Sequence, residues 1–122
     1  MIGNKAGNAA ESFACKFLEK QGYKILTRNY TDRYGEIDIV AEKDGYIVFA
    51  EVKARKTGSL VGAKEAVTPD KQLKIIKTSM KFLQNFDREL QPRYDVIAVE
   101  LADGRVCAVK HIKSAFDADG LL

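Results

Sequence analysis

From Gly35 to Lys43 and from Tyr46 to Lys53 the chain forms two runs rich in Ile and Val, parted by Asp44-Gly45. Asp-Gly between two such runs is the signature of a two-residue hairpin turn. With these two residues at the turn, Lys43 falls opposite Tyr46, Val40 opposite Phe49, Asp38 opposite Glu51 and Glu36 opposite Lys53. Side chains alternate along a strand, so the last three pairs share one face. The other face, Ile37, Ile39, Ala41, Val48, Ala50 and Val52, is apolar throughout and is the expected core.

The same patterning predicts a helix over residues 4–21, where Ala10, Phe13, Ala14, Phe17 and Leu18 recur at three- and four-residue steps and Gly22 supplies the stop. Glu11 lies beside that stripe, either as an exposed boundary residue or overhanging the sheet as a third carboxylate. Residues 23–30 read as a first strand. Residues 54–62 are polar, basic and punctuated by glycine, which predicts a mobile loop leaving the end of the hairpin, or a plain linker. Thr68-Pro69-Asp70 opens a second helix with a buried stripe of Leu73, Ile76, Met80 and Leu83, and Gln91-Pro92 breaks it. A second hairpin, residues 94–101 and 105–112, turns at Asp103-Gly104, and residues 114–117 are expected as a short helical cap. The order α-β-β-β-α-β-β predicts an α/β (α+β) fold, a mixed five-stranded sheet flanked by helices, with residues 1–122 as a single domain.

Composition narrows the setting. A chain of 122 residues with ordinary apolar content can bury a core without disulfides or a structural metal. Cys15 and Cys107 form no Cys-x-x-Cys pair, and the single histidine, His111, leaves no zinc ligand set. Both cysteines are expected as small core residues. Neither a signal core nor a membrane-spanning run is present, so the reading is of a cytoplasmic protein without membrane association. The net charge of +3 is mild, but residues 53–81 hold eight Lys or Arg against Glu65 and Asp70. Such a field suits a polyanion such as nucleic acid; a solvated helix face is the plainer alternative. Arg28, Arg33, Arg55, Lys56, Lys71 and Lys74 are the candidate nucleic-acid contacts.

Asp38 opposite Glu51 is the pairing that needs a reason. Facing Cβ atoms stand roughly 4.5–5.5 Å apart, and like charges about 5 Å apart at an effective dielectric near 20 repel by about 3 kcal/mol. A cation between them, or a proton kept by one of them, removes the conflict. The alternative is a solvated charge lattice with Glu36 and Lys53 as an ordinary cross-strand pair. Two hard carboxylates on adjacent strands, with Glu11 or main-chain carbonyls adding a ligand, suit Mg²⁺ or Mn²⁺. Lys53, on the same face, can orient water or neutralise charge on the transition state. The set points to metal-dependent phosphodiester hydrolysis.

Asp38, twelve residues, then Glu51-Val52-Lys53 resembles the PD-(D/E)xK signature of restriction-endonuclease-like nucleases. With the helix glutamate and the element order, it is most similar to archaeal-type Holliday junction resolvases. Gly7-x-x-x-Glu11, Gly22-Tyr23, Arg28-Asn29, Gly35-Glu36-Ile37-Asp38, Phe49-Ala50-Glu51-Val52-Lys53-x-Arg55 and Arg93-Tyr94-Asp95-Val96 resemble the YraN family, also called UPF0102, nearly end to end. The resemblance implies a restriction-endonuclease-like core and a catalytic set of Glu11, Asp38, Glu51 and Lys53. In that set Asp38 and Glu51 bind metal, Lys53 supports catalysis and Glu11 contacts metal or water; Arg28 and Arg55 touch nucleic acid. Ile37 stands in the place of the signature's proline, and Ala50 replaces a bulkier residue. The implied activity is cleavage of structured or branched DNA, with a homodimer expected if the resolvase analogy extends to two cuts in one junction. The alternative is a non-catalytic nucleic-acid-binding module within a larger DNA repair or uptake assembly.

Overall fold

The structure, a computed structural model, describes residues 5–58, 62 and 67–119, with side chains from residue 9 onward. Its elements are α1 (Lys5–Lys20), β1 (Lys24–Asp32), β2 (Gly35–Lys43), β3 (Tyr46–Lys56), α2 (Pro69–Gln84), β4 (Gln91–Ala102) and β5 (Arg105–Phe116). They form the mixed five-stranded sheet with flanking helices that the sequence predicts. Strand order in space follows the chain, β1-β2-β3-β4-β5, and β3 runs parallel to β4 while the other neighbours are antiparallel. A parallel step needs a crossover, and α2 lies within it.

Both hairpin turns have the expected chemistry. Asp44 and Gly45 take φ of +51° and +86°, and Asp103 and Gly104 take +52° and +75°, the left-handed pair of a type I′ turn. The register between β2 and β3 follows from the first: Lys43 pairs with Tyr46 and Val40 with Phe49.

Alternation along this hairpin does not divide core from solvent, because a helix covers each side of the sheet. Ile39, Ala41, Val48 and Ala50 pack under α1 with Ala10, Ala14 and Leu18. Val40, Ile47 and Phe49 are fully buried under α2 with Ile75 and Ile76. The expected single core face is therefore only half of the core. Ile37 joins the α2 side, against simple alternation. The switch falls between the Arg28–Ile39 and Tyr30–Ile37 rungs, where Asn29 takes a left-handed φ of +54°. Arg28 consequently reaches Ser12 of α1, whereas Tyr30 stands edge-on to Phe82 of α2. Asparagine is among the few side chains that tolerate this backbone.

Five further expectations are corrected. Ala54, Arg55 and Lys56 belong to β3, not to a loop, because β4 continues beside them as a pairing partner; residues 59–61 of that expected loop lie outside the described residues. Helix α2 ends at Gln84 with Asn85 as its cap, and Gln91-Pro92 begins β4. Met80 and Phe13, placed on buried stripes by periodicity, are 46% and 39% exposed. Residues 114–116 continue β5, with Phe116 paired to Tyr94, so no helical cap forms there. Cys15 is buried as expected, but Cys107 is exposed. Among the described residues no helix is long and apolar enough to cross a membrane.

Candidate functional site

The β2–β3 ladder ends at the Ile39–Ala50 rung, while β3 keeps pairing with β4 as far as Lys56. Asp38 and Glu51 would form the next rung, and they do not. The strands part there, and Asp38 Oδ2 accepts the hydrogen bond of the Val52 main-chain N–H at 2.8 Å. A side chain thus takes over a donor that the ladder has released, as a half-buried N–H requires. The expectation of a directly facing pair is corrected in form. The carboxyls still act on each other: the charge of Asp38 and its carboxyl beside Glu51 are among the causes that raise the Glu51 pKa.

Glu51 is 7% exposed. Burial, the Asp38 charge and the Asp38 carboxyl beside it raise its pKa to about 7, against the opposing pull of Lys71 and Lys53. Lys53 Nζ lies 3.9 Å from Glu51 Oε1 and Lys71 Nζ lies 3.4 Å from the same oxygen. Burial, then the Lys71 ammonium close beside it, pulls Lys53 below the usual lysine range. Burial works against the charge of Lys71 too, but its contact with Lys53 and the carboxylates of Glu51 and Asp38 outweigh it and raise that pKa.

Lys71 arrives through helix capping. Thr68 adopts an extended backbone, its hydroxyl accepts the Lys71 N–H at 3.3 Å, and Pro69 opens the helix. The cap fixes the first turn of α2 beside β3, so Lys71, expected as a nucleic-acid contact, is a member of the carboxylate cluster. Its hint in the sequence is the third position after a capping Thr-Pro. That hint locates a helix start but not the strand beside it.

Glu11 approaches from α1. Its pKa is raised by burial and by the Asp38 charge, partly offset by Arg28 and by a hydrogen bond with Asn29. Arg28 Nη2 is 3.7 Å from Glu11 Oε1 and bonds Ser12 Oγ at 3.2 Å. Glu11 Oε1 is buried and has no hydrogen-bond partner. The left-handed Asn29 therefore both turns the strand and supports the glutamate, a role the motif Arg28-Asn29 leaves unstated.

The remaining candidates sit elsewhere. Arg33 lies in the β1–β2 turn against Tyr34, and Lys74 pairs with Asp70 at 3.4 Å on the exposed side of α2. Lys56 is exposed near the end of β3, beside Leu101 and Asp103. Arg55 is half-buried on β3, two residues beyond Lys53. Glu36 lies opposite Thr31 on β1 and is exposed, so the cross-strand pair with Lys53 is not part of the ladder.

These residues fit a hard divalent cation. Two carboxyls crowd together against their own repulsion, and a third carries a buried oxygen without a donor. All are oxygen ligands of the kind magnesium and manganese take, with one or two carboxylates sufficing for magnesium. Among the described residues no group of three acids, histidines or cysteines closes into a ready cage, so Asp38 and Glu51 form the direct pair and Glu11 stands behind them.

Residues 10–99 match the family described as "Uncharacterised protein family UPF0102". A UPF0102 protein of Trichlorobacter lovleyi is 44% identical over 118 residues, covering 94% of this chain and 93% of the relative. One from Myxococcus xanthus is 41% identical over 92% of this chain and 89% of its own. One from Syntrophomonas wolfei is 39% identical over 94% of this chain and all of its own length. The matched span includes Glu11, Asp38, Glu51, Lys53 and Lys71, and the chain belongs to the UPF0102 family.

Proposed function

We propose that this protein is a Mg²⁺- or Mn²⁺-dependent endonuclease that hydrolyses phosphodiester bonds of structured or branched DNA in the cytoplasm. One observation carries the reading: the Asp38 and Glu51 carboxyls act on each other where β2 and β3 part, and Glu51 keeps a proton up to about pH 7. A fold gains nothing from such a pair; a cation site does. The position also suits a ligand, since it lies in the later half of a parallel strand beside a crossover.

When bound, the divalent ion supplies Lewis acidity and an acidified water. Asp38 and Glu51 would hold it, their repulsion relieved by its charge. Lys53 Nζ would meet a non-bridging phosphate oxygen or take a proton from the attacking water, for which its lowered pKa supplies more of the neutral amine. The unpartnered oxygen of Glu11 would accept from water on the α1 side. Lys71 would offset charge that builds on the phosphate. A homodimer goes with a four-way-junction substrate, where two cuts need two sites.

The test incubates the protein with four-way junction, flap, duplex and single-stranded DNA, with Mg²⁺ or Mn²⁺ and then with EDTA. Metal-dependent products that Asp38→Asn and Glu51→Gln each abolish are expected. Lys53→Ala should lower turnover far more than metal affinity. A second reading, a nucleic-acid-binding module that cleaves nothing unaided, is favoured by Lys71, which already places a cation 3.4 Å from Glu51. DNA binding with no metal-dependent product on any of these substrates would establish it in place of the nuclease.

A further inference from the structure

Toward the other end of α2 from Lys71, the tip of the β1–β2 hairpin and the helix enclose a cleft of about 330 Å³ lined by Arg33, Tyr34, Lys77, Met80, Lys81 and Gln84. Three of these six are cations and none is an acid. Tyr34 and Met80 are 38% and 46% exposed, two of the few large apolar side chains left open to solvent. The Arg33 guanidinium bonds the Tyr34 hydroxyl at 2.9 Å and lies 5.0 Å from the centre of its ring. The guanidinium lies over the ring, and the partly exposed ring and the guanidinium plane are both surfaces of the kind nucleobases stack on.

The platform is held in place. Asp32 Oδ1 accepts the Tyr34 N–H at 2.8 Å and the Gly35 N–H at 3.3 Å, and it lies 3.5 Å from the Thr78 hydroxyl of α2. Gly35 sits close against the helix: a Cβ there would stand 3.5 Å from Thr78 Oγ1 and 3.6 Å from Lys74 Cβ. The hairpin tip is therefore docked on α2, and Tyr34 has a fixed place beside Lys77 and Lys81.

A path joins this cleft to the carboxylates. Lys71, Lys74, Lys77 and Lys81 recur along α2, and Lys71 touches Glu51. Ten residues of helix span about 15 Å, the rise of roughly four stacked nucleotides. A strand whose phosphates follow the lysines would bring a base to Tyr34 a few nucleotides from the acids. A paired duplex keeps its base faces covered by neighbours, so the platform serves only a nucleotide free of them.

We infer that the Arg33–Tyr34 platform, with Lys77 and Lys81, is a stacking site for an unpaired nucleotide, and that the substrate carries single-stranded DNA beside the point of cleavage. The inference rests on the phosphodiesterase reading of the carboxylate site and narrows it to DNA with a single-stranded arm.

Binding in EDTA separates the two ideas, because it needs no metal and no cleavage. The full-length chain is titrated with an oligothymidylate carrying one 2-aminopurine, and with a blunt duplex of equal length. Tyr34→Ala should weaken the single strand by roughly tenfold, the scale of one stacked base, remove the quenching of 2-aminopurine, and change duplex binding less than twofold. Tyr34→Phe should restore both. The double variant Lys77→Ala/Lys81→Ala should weaken both ligands and flatten the dependence on salt. Equal weakening of strand and duplex by Tyr34→Ala, no weakening of either, or no binding by the wild-type protein would overturn the site. Displacement of the strand by polyglutamate of equal charge would overturn it too, exposing an undiscriminating polyanion surface. Cleavage with Mg²⁺ but no Tyr34 effect removes this inference alone; a Tyr34 effect without cleavage removes the nuclease and the placement beside a cut, and leaves the stacking site standing.

Discussion

Two buried carboxylates stand on neighbouring strands and meet opposite fates. Asp95 pairs across the sheet with Ala50, the residue before Glu51, so the two acids lie close in the sheet yet face opposite helices. Asp95 is completely buried. Arg93 donates to it through Nε at 3.0 Å and Nη2 at 2.8 Å, His111 Nε2 lies at 2.7 Å, and the Ser114 N–H donates at 3.0 Å. Burial pushes its carboxyl up, but His111, Arg93 and Ser114 outweigh that and hold it below the usual range. Glu51 has burial and another acid pushing in the same direction, and its pKa rises to about 7. Desolvation is common to both; the partners differ. A buried acid given a full set of donors fixes a fold, whereas one set beside a second acid leaves an interaction for a ligand to complete.

Asp95→Asn gives the largest expected effect on stability. It leaves Arg93 and His111 facing a neutral amide, with the guanidinium still bonded to the Tyr23 hydroxyl at 2.6 Å but without its counter-charge. One amide oxygen can serve Ser114, whose φ of +52° marks the bulge in β5, or Arg93 Nη2 and His111, but not both sets of donors. Breaking a buried charge pair costs about 3–5 kcal/mol, a fall in Tm of roughly 10–20 °C for a chain of this size. Thermal unfolding at neutral pH checks it, and a shift of only a degree or two would break the contrast between the clusters. The pH sign follows from the depressed pKa: stability from Asp95 is present above the unfolded value of 3.8 and is lost as pH falls through the lower folded one.

Glu51→Gln should act in the opposite direction. Its folded pKa, about 7, lies above the unfolded value of 4.5, so the native state keeps a proton that the unfolded chain gives up. Without metal, the wild-type protein therefore loses stability from this group as pH rises from 4.5 to about 7, by about 3 kcal/mol in all. Denaturant titrations in EDTA should find Glu51→Gln similar to wild type near pH 4.5 and more stable by that order at pH 8. Mg²⁺ added near pH 6 should release a proton from wild type and not from the variant, which calorimetry in buffers of different ionisation enthalpy reads directly. A Glu51→Gln protein less stable than wild type at pH 8 would mean that Glu51, like Asp95, is a structural acid.

The sequence carried one of these clusters and hid the other, for a physical reason. Asp44-Gly45 sets a local register, and counting from it brings Asp38 to Glu51. The count holds for five rungs and then fails in detail, because Asp38 replaces a ladder partner of Val52 and the strands part. Nothing periodic announces a side chain substituting for main chain. Asp95, Arg93 and His111 come together through non-local pairing of β4 with β5 across a bulge at Ser114. Their spacing along the chain states no such geometry, and only the resemblance of Arg93-Tyr94-Asp95-Val96 to a family pattern marked the stretch. Thr68-Pro69 announced a helix start correctly, yet the placement of Lys71 on Glu51 depends on a crossover that brings that start beside β3.

The smallest expected effect belongs to Lys71, and it tests whether the carboxylate cluster awaits a cation or already has one. Lys71 lies 3.4 Å from Glu51 Oε1 with its side chain 44% exposed, so the pair contributes at most about 1 kcal/mol. If it competes with a divalent ion for that oxygen, Lys71→Ala should tighten Mg²⁺ binding about two- to fivefold while slowing any cleavage. The measurement belongs at pH 8. Below about pH 7 the loss of the lysine's charge also lets Glu51 hold its proton more firmly, which weakens metal binding and masks the gain. Lys71→Arg should restore the competition without restoring the same geometry, since guanidinium is a planar fork and ammonium a point charge. Unchanged Mg²⁺ affinity in Lys71→Ala at pH 8 would show that lysine and metal occupy different sides of Glu51. The difference between the two buried acids would then lie wholly in the repulsion between Asp38 and Glu51.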